Sequence, residues 1–182
     1  MEKKYDNVRR TDRQETDPEF LQMLLENSVS CTVAVVTEEY PLVQATFFAF
    51  DRPNNEIIFH FSKYGFSGHH IRTGRHITIS VYKYGKLYTA ERAVDFGGEY
   101  QSVIIYGKIR VVDNEPEKMQ AMKFFFDKYF AHIPVSEYKP FTVTEANPIY
   151  VVKVKIDTWI GKQHLLPSSA IESFYPKFSP VI

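Results

Sequence analysis

The fold of this chain is decided by residues 56–82, EIIFHFSKYGFSGHHIRTGRHITISVY, which combine two strand patterns with a short polar segment between them. Apolar residues at every second position, Ile57, Phe59 and Phe61, predict a strand whose two faces differ. A second alternating run, residues 77–82, predicts the strand that follows. The stretch therefore predicts a compact unit of strand, loop, short helix and strand.

The loop of this unit has the composition of a phosphate site. Gly65 and Gly68 let backbone amides turn toward a ligand, while Lys63 and Ser67 supply a cation and a hydroxyl. Residues 69–73 are expected to form one helical turn whose positive end faces the same loop. An ordinary solvated turn has a similar composition, so the residues alone leave both interpretations open.

The remaining pattern predicts a mainly β (α+β) chain. Further strands are expected at residues 30–37, 42–51, 100–111 and 149–158, helices at residues 18–25 and 115–131, and a long irregular loop at residues 84–98. Asp17 before Pro18 and Asn114 before Glu117 are typical helix starts. Antiparallel strands in this number need a closed arrangement to hide their edges, which favours a six- to seven-stranded Greek-key barrel with a few peripheral helices.

The composition indicates one domain over residues 1–182, with an N-terminal arm at 1–16 and a C-terminal tail at 163–182. Lys plus Arg and Asp plus Glu number 22 each, so no overall field attracts nucleic acid or a membrane surface, and neither is expected as a partner. Cys31 is the only cysteine and has no partner for an internal disulfide. No apolar run approaches a membrane span, and we expect a cytoplasmic protein.

Three motifs recur in one order along the chain: HxxKxG with a following IR, then EYxSVxxxGxIRVV, then a GK pair. The residues that form them are His60, Lys63, Gly65, Ile71, Arg72, Glu99, Tyr100, Ser102, Val103, Gly107, Ile109, Arg110, Gly161 and Lys162. In these motifs the chain resembles the flavin-binding split-barrel superfamily, which includes pyridoxamine-phosphate-oxidase-like proteins, and within it the nitroimidazole-resistance proteins. Ser67 and Gln101 stand where those proteins commonly carry Lys and Arg.

The resemblance implies a split barrel that binds FMN between the two subunits of a homodimer. The cofactor-binding candidates are His60, Phe61, Ser62, Lys63, Ser67, Gly68, His69, Tyr100, Ser102, Trp159 and Lys162. Lys63 and Ser67 are expected at the phosphate, and Phe61, Ser62 and Ser102 near the ring. FAD is the alternative, since the smaller Ser67 leaves room for a pyrophosphate, and deazaflavin or haem are further alternatives.

His60 is the candidate catalytic residue, because the resemblance places its imidazole near the flavin ring and a bound small-molecule substrate. The alternative for His60 is a hydrogen-bonded strand residue without chemical function. The other histidines do not favour a metal: His69 and His70 are adjacent and point to different sides of a helix, and no carboxylate accompanies them at ligand spacing. No metal site is expected.

The resemblance implies an FMN-dependent oxidoreductase that reduces nitroimidazole-type or other small planar acceptors. The alternative is a non-catalytic flavin or haem carrier, because flavin chemistry requires no particular protein side chain. The chain contains no arginine after Arg110. Since the resemblance implies that pyridoxamine-phosphate oxidases hold the substrate phosphate with C-terminal arginines, we expect no useful oxidation of pyridoxamine phosphate.

Overall fold

The computed structural model describes residues 8–177, in which nine strands and four α-helices form. The strands are β1 Gln14–Glu15, β2 Ser30–Val35, β3 Leu42–Phe47, β4 Ala49–Asp51, β5 Glu56–Ser62, β6 His76–Thr89, β7 Gly97–Val111, β8 Ile149–His164 and β9 Glu172–Phe174. The helices are α1 Pro18–Glu26, α2 Phe66–His70, α3 Glu115–Phe130 and α4 Val143–Ala146, with 3-10 turns at Thr11–Arg13, Ala93–Asp95 and Val135–Glu137.

The strands form one antiparallel sheet that is folded into a split barrel. Seven of them follow the order β3-β2-β6-β7-β8-β5-β4, while β1 pairs with β8 and β9 pairs with β6. The strands at the two ends of this order, β3 and β4, are consecutive in the chain, and only the fully buried Phe48 separates them. The Tyr129 hydroxyl accepts a hydrogen bond from the Phe48 amide at 3.0 Å and lies 2.6 Å from its carbonyl oxygen. The predicted mainly β barrel with peripheral helices is confirmed.

The inward faces of the strands form the barrel core. Phe59, Ile79, Ile105 and Val154 belong to this cluster and are fully buried, which confirms the predicted inward face of β7. Leu25 of α1 joins the same cluster. A second, smaller cluster lies between the outer side of β4, β5 and β8 and the apolar face of α3. One side of the sheet is therefore covered by α3.

Both long helices begin at the residues that the sequence predicts. The Asp17 side chain accepts a hydrogen bond from the Glu19 amide at 3.0 Å, and the Asn114 side chain accepts one from the Glu117 amide at 3.0 Å. Each cap satisfies an amide that has no partner within the first helical turn. Local chemistry thus fixes where α1 and α3 start.

The prediction of an irregular loop at residues 84–98 is wrong. Strand β6 runs on to Thr89 and β7 begins at Gly97, so most of this region is a hairpin with a register shift between Tyr84 and Leu87. Gly97 lies opposite Tyr88, and a Cβ at Gly97 would come within 2.5 Å of the Tyr88 hydroxyl. The alternation of apolar residues does not reveal this hairpin. Gly97 carries no side chain to show the pattern, because the ring of the cross-strand Tyr88 occupies that space.

Both ends of the chain add strands to the sheet. The predicted arm contains β1, and β8 extends past the predicted end at residue 158 to His164. The tail contributes β9, which pairs with the end of β6. Residues 1–7 of the predicted arm and 178–182 of the predicted tail lie outside the described residues. In the described part of the chain, no helix has the length and apolarity that crossing a membrane requires.

Candidate functional site

The loop after β5 leads into a helix that begins earlier than predicted. Helix α2 spans Phe66–His70 rather than residues 69–73, so Ser67 and Gly68 lie in its first turn. Gly68 packs directly on the end of β5, where a Cβ would come within 2.4 Å of the Ser62 carbonyl oxygen. The Arg72 guanidinium donates to the Gly68 and Ile71 carbonyls and so ends the helix. This close packing is a tertiary effect that the local sequence does not display.

Several polar groups converge at this loop. The Ser67 hydroxyl donates to Gln44 Oε1 of β3 at 2.5 Å, and the exposed Ser62 hydroxyl accepts from the Tyr64 amide at 3.3 Å. Lys63 Nζ lies 5.5 Å from the centre of the Tyr150 ring. No carboxylate among residues 8–177 forms an ion pair with Lys63. The loop therefore offers a cation and two hydroxyls without a neutralising acid.

Gln44 is a residue of this site that the sequence reasoning missed. It lies on β3, whose other side chains are mostly apolar, and its amide oxygen fixes the Ser67 hydroxyl. The available signal was an amide side chain between the apolar residues Val43 and Ala45 of a predicted strand. His69, which the sequence places in the same group, is exposed on α2.

A second group of candidates lies on the outer face of β7 and β8. Ser102 pairs with Lys162, and Tyr100 pairs with His164, so these four side chains share one face of the sheet. Tyr82 of β6 stacks on Tyr100, with ring centres 6.1 Å apart and planes 23° apart. The three candidates Tyr100, Ser102 and Lys162 therefore lie close together on one face of the sheet.

Phe61 and Trp159 lie apart from both groups. Phe61 is 3% exposed and packs inside the barrel next to Phe59. Trp159 pairs with the inward-facing Ile105, and it lines a cavity of about 130 Å³ together with Leu21 of α1. Both rings therefore point to the barrel interior, on the opposite face from Ser102 and Lys162.

The two polar groups stand on different strands of the sheet. Gln44 belongs to β3 and Tyr100 to β7, and the strands β2 and β6 lie between them. Three strand spacings amount to about 14 Å. Ser62 pairs with Ile149 at the start of β8, and Lys162 lies thirteen residues farther along that strand, so within one chain the Lys63 loop does not lie against the Ser102–Lys162 pair.

His60 packs beneath α3. Its ring meets the Phe125 ring edge to face at a centroid distance of 4.8 Å, and Nδ1 is buried without a hydrogen-bond partner in the described structure. Burial lowers the pKa of His60, which keeps the imidazole neutral. The placement fits a packed strand histidine better than a ligand-facing one, and its catalytic role stays a prediction. Among residues 8–177 no cluster of His, Cys, Asp and Glu could hold a metal.

A cleft of about 700 Å³ opens where the arm, the β6–β7 hairpin and the start of the tail meet. Tyr82 and Tyr100 form an aromatic wall, and the Tyr88 hydroxyl lies 2.8 Å from His164 Nε2. Burial, followed by the nearby charges of Arg13 and Arg10, lowers the pKa of His164. Tyr88 and His164 are 76 residues apart in sequence, and no local motif connected them.

The fold and the paired polar groups define a class of protein, the split barrels of the pyridoxamine-phosphate-oxidase-like type. The family model for pyridoxamine 5'-phosphate oxidase matches residues 17–163, and the chain belongs to this family. That span includes the Lys63 loop and the Ser102–Lys162 pair. A search of curated proteins gave no match.

Several solved structures share the fold. A flavocytochrome from Azotobacter vinelandii is 19% identical with a TM-score of 0.77, covering 97% of this chain and 88% of the other. The FAD and haem binding protein from Mycobacterium smegmatis is 20% identical with a TM-score of 0.73, covering 92% and 77%. A 5-nitroimidazole antibiotic resistance protein from Bacteroides thetaiotaomicron is 18% identical with a TM-score of 0.63, covering 82% and 86%.

Proposed function

We propose that this protein is a flavoprotein that binds FMN with the loop after β5. The observation that carries the proposal is that one loop holds Lys63, which has no carboxylate partner among residues 8–177, and Ser67, whose hydroxyl is oriented by Gln44. A lysine without a carboxylate partner is available to a phosphate, and charge-assisted hydrogen bonds hold a phosphate well. Ser62 and nearby amides would complete the contacts. When bound, the flavin supplies the electron or hydride transfer.

The flavin site is proposed to be shared between two copies of the chain. Within one chain the Lys63 loop begins where Ser62 pairs with Ile149 at the start of β8, whereas Lys162 lies thirteen residues farther along that strand, so a second copy is needed to bring them to one cofactor. The outer face of the sheet also exposes large apolar side chains: Val43 is 60% exposed and Phe47 is 54% exposed. Contiguous apolar surface of this kind marks an interface. A homodimer would cover it.

The proposed reaction is the reduction of small planar acceptors, with nitroimidazoles as the candidate class. The chain's residues would bind and orient the acceptor at the flavin and exclude water, since the redox step belongs to the cofactor. The absence of arginine after Arg110 supports the view that pyridoxamine phosphate is not the substrate. A cytoplasmic location stays a prediction.

The test of cofactor binding uses the protein as purified. FMN should be present by absorbance, and mass spectrometry of the released cofactor distinguishes FMN from FAD. Lys63→Ala should weaken flavin binding about tenfold or more, because it removes a charge-assisted contact. Lys139→Ala, in the exposed connector after α3, is the matched control and should have no effect. Unchanged affinity in Lys63→Ala would refute the site.

The test of activity separates an oxidoreductase from a carrier. The flavin of the loaded protein is reduced with a reduced nicotinamide cofactor or with dithionite, and the protein is then mixed with a nitroimidazole. Reoxidation of the flavin together with reduction of the nitro group supports the oxidoreductase. Flavin that no acceptor reoxidises, or a haem Soret absorption in its place, supports a carrier. Efficient formation of pyridoxal phosphate from pyridoxamine phosphate under oxygen would contradict the proposed substrate class.

A further inference from the structure

The cleft between the arm and the β6–β7 hairpin has the form of a small-molecule site. Its volume of about 700 Å³ lies within the range of roughly 300–1,000 Å³ that is usual for ligand pockets. Three structural elements close around it, the arm before β1, the hairpin and the start of the tail. Strand β1 pairs with β8 and thereby holds the arm in place at its edge.

One wall of this cleft is aromatic and flat. The rings of Tyr82 and Tyr100 are stacked, and Tyr82 remains 62% exposed, so its outer face is available to a ligand. Phe96, which directly precedes the hairpin's second strand, is 51% exposed and also lines the cleft. Aromatic side chains bind planar rings by offset stacking. This wall therefore fits a planar, unsaturated ligand.

The arm supplies a second guanidinium, that of Arg13, with an unsatisfied donor. Arg10 Nε and Nη2 are both bound to Asp12, at 2.8 and 2.6 Å. Arg13 has only a 3.9 Å ion contact with the same carboxylate, and its buried Nε has no hydrogen-bond partner within residues 8–177. Buried polar groups in folded proteins are normally hydrogen-bonded, so the unsatisfied Nε of Arg13, a residue that lines the cleft, indicates that its guanidinium can take a further acceptor. A carboxylate matches the fork of guanidinium donors.

The acidic residues of the cleft do not oppose this. Both Glu99 oxygens are occupied by backbone amides, Oε2 by that of Lys86 at 3.0 Å and Oε1 by that of Leu166 at 3.3 Å. Asp95 also lines the cleft, but it stands on the 3-10 turn of the hairpin and is exposed, so solvent and salt screen its charge. His164 Nε2 is engaged by the hydroxyl of the buried Tyr88, and burial is the first cause that lowers the pKa of His164.

We propose that this cleft binds a planar aromatic carboxylate, which stacks on the Tyr82–Tyr100 wall and places its carboxylate on Arg13. The inference deepens the proposed function, because Tyr100 belongs both to the cleft and to the predicted flavin face, so the ligand would be the acceptor. Binding at the cleft does not itself require the flavin. One guanidinium with an unsatisfied donor matches a single negative charge, which favours a carboxylate over a phosphate.

The experiment is a calorimetric titration of the full-length protein with naphthalene-2-carboxylate. Its uncharged analogue, naphthalene-2-carboxamide, is expected to bind about tenfold or more weakly, because the charge-assisted pair is lost. Arg13→Gln should weaken the carboxylate by a similar factor and leave the amide unaffected. Arg9→Gln, an exposed arginine on the same arm that does not line the cleft, is the matched control and should bind both probes as the native protein does.

Equal binding of the carboxylate and the amide to the native protein would overturn the proposal without any variant. An Arg13→Gln protein that is folded by circular dichroism and binds the carboxylate as tightly as the native chain would also overturn it. Flavin content is measured by absorbance in each preparation. A protein that takes up no added FMN but still shows the Arg13-dependent difference would refute the proposed function while supporting this site.

Discussion

The Tyr129 hydroxyl is predicted to fix the corner at which the barrel closes. It accepts from the Phe48 amide at 3.0 Å and lies 2.6 Å from the Phe48 carbonyl and 2.7 Å from the Val29 carbonyl. Phe48 is fully buried between β3 and β4. Tyr129→Phe keeps the ring but removes the partner of the Phe48 amide and of one carbonyl. Two lost hydrogen bonds correspond to about 1–3 kcal/mol of unfolding free energy.

The assay is equilibrium unfolding in urea together with a thermal scan. For a chain of this size, that loss lowers the melting temperature by roughly 2–12 °C. Tyr40→Phe is the matched control, because the Tyr40 side chain is 74% exposed, and its expected change is close to zero. If the two variants were equally stable, the hydroxyl would not hold the corner, and the argument for barrel closure at Phe48 would fail.

Three further predictions concern stability. Burial lowers the pKa of His60 below its ordinary 6.5, so the unfolded chain takes up a proton at a higher pH than the folded chain does, and stability falls as the pH drops below 6.5. The free energy of unfolding of His60→Leu, measured by urea titration, should therefore fall less between pH 7 and pH 5 than that of the native protein. The hydrogen bond from Arg110 is the main cause that lowers the pKa of Glu117 from 4.5 to about 2, so Glu117→Gln should be less stable by about 1 kcal/mol at pH 7, and that difference should vanish near pH 2. Gly97→Ala places a Cβ against the Tyr88 hydroxyl and should cost about 1–3 kcal/mol, measured by the same unfolding assay; an unchanged midpoint would contradict the hairpin packing.

The elements that the sequence predicts well are those whose signals are local. Asp17 and Asn114 cap the helices that follow them, and alternation along β7 separates buried Ile105 from the outer face. These signals depend on neighbours within a few residues, so they survive without knowledge of the fold. The family motifs extended the prediction to the barrel as a whole.

The elements that the sequence misses depend on contacts between distant residues. Helix α2 begins earlier than predicted because Gly68 packs on the β5 backbone, and the Ser67–Gln44 bond joins residues that are 23 positions apart. The Tyr88–His164 pair and the Arg13 cleft arise only once the arm and hairpin meet. Strand pairing brings such residues together, and the periodicity of a single sequence does not show which strands pair.

The central claim is that one flavin is held by the Lys63 loop of one copy and the Ser102–Lys162 face of another. Two variants test it directly: Lys63→Ala disables the loop, and Lys162→Ala disables the opposite face. Each variant is purified, and equal amounts of the two are mixed and allowed to exchange subunits. Flavin binding is then measured at a flavin concentration between the dissociation constants of the native protein and the variants. Random pairing makes half of the dimers mixed, and each mixed dimer contains one intact site, so about a quarter of all sites should bind flavin. Flavin binding no greater than the average of the two separate variants would contradict a shared site.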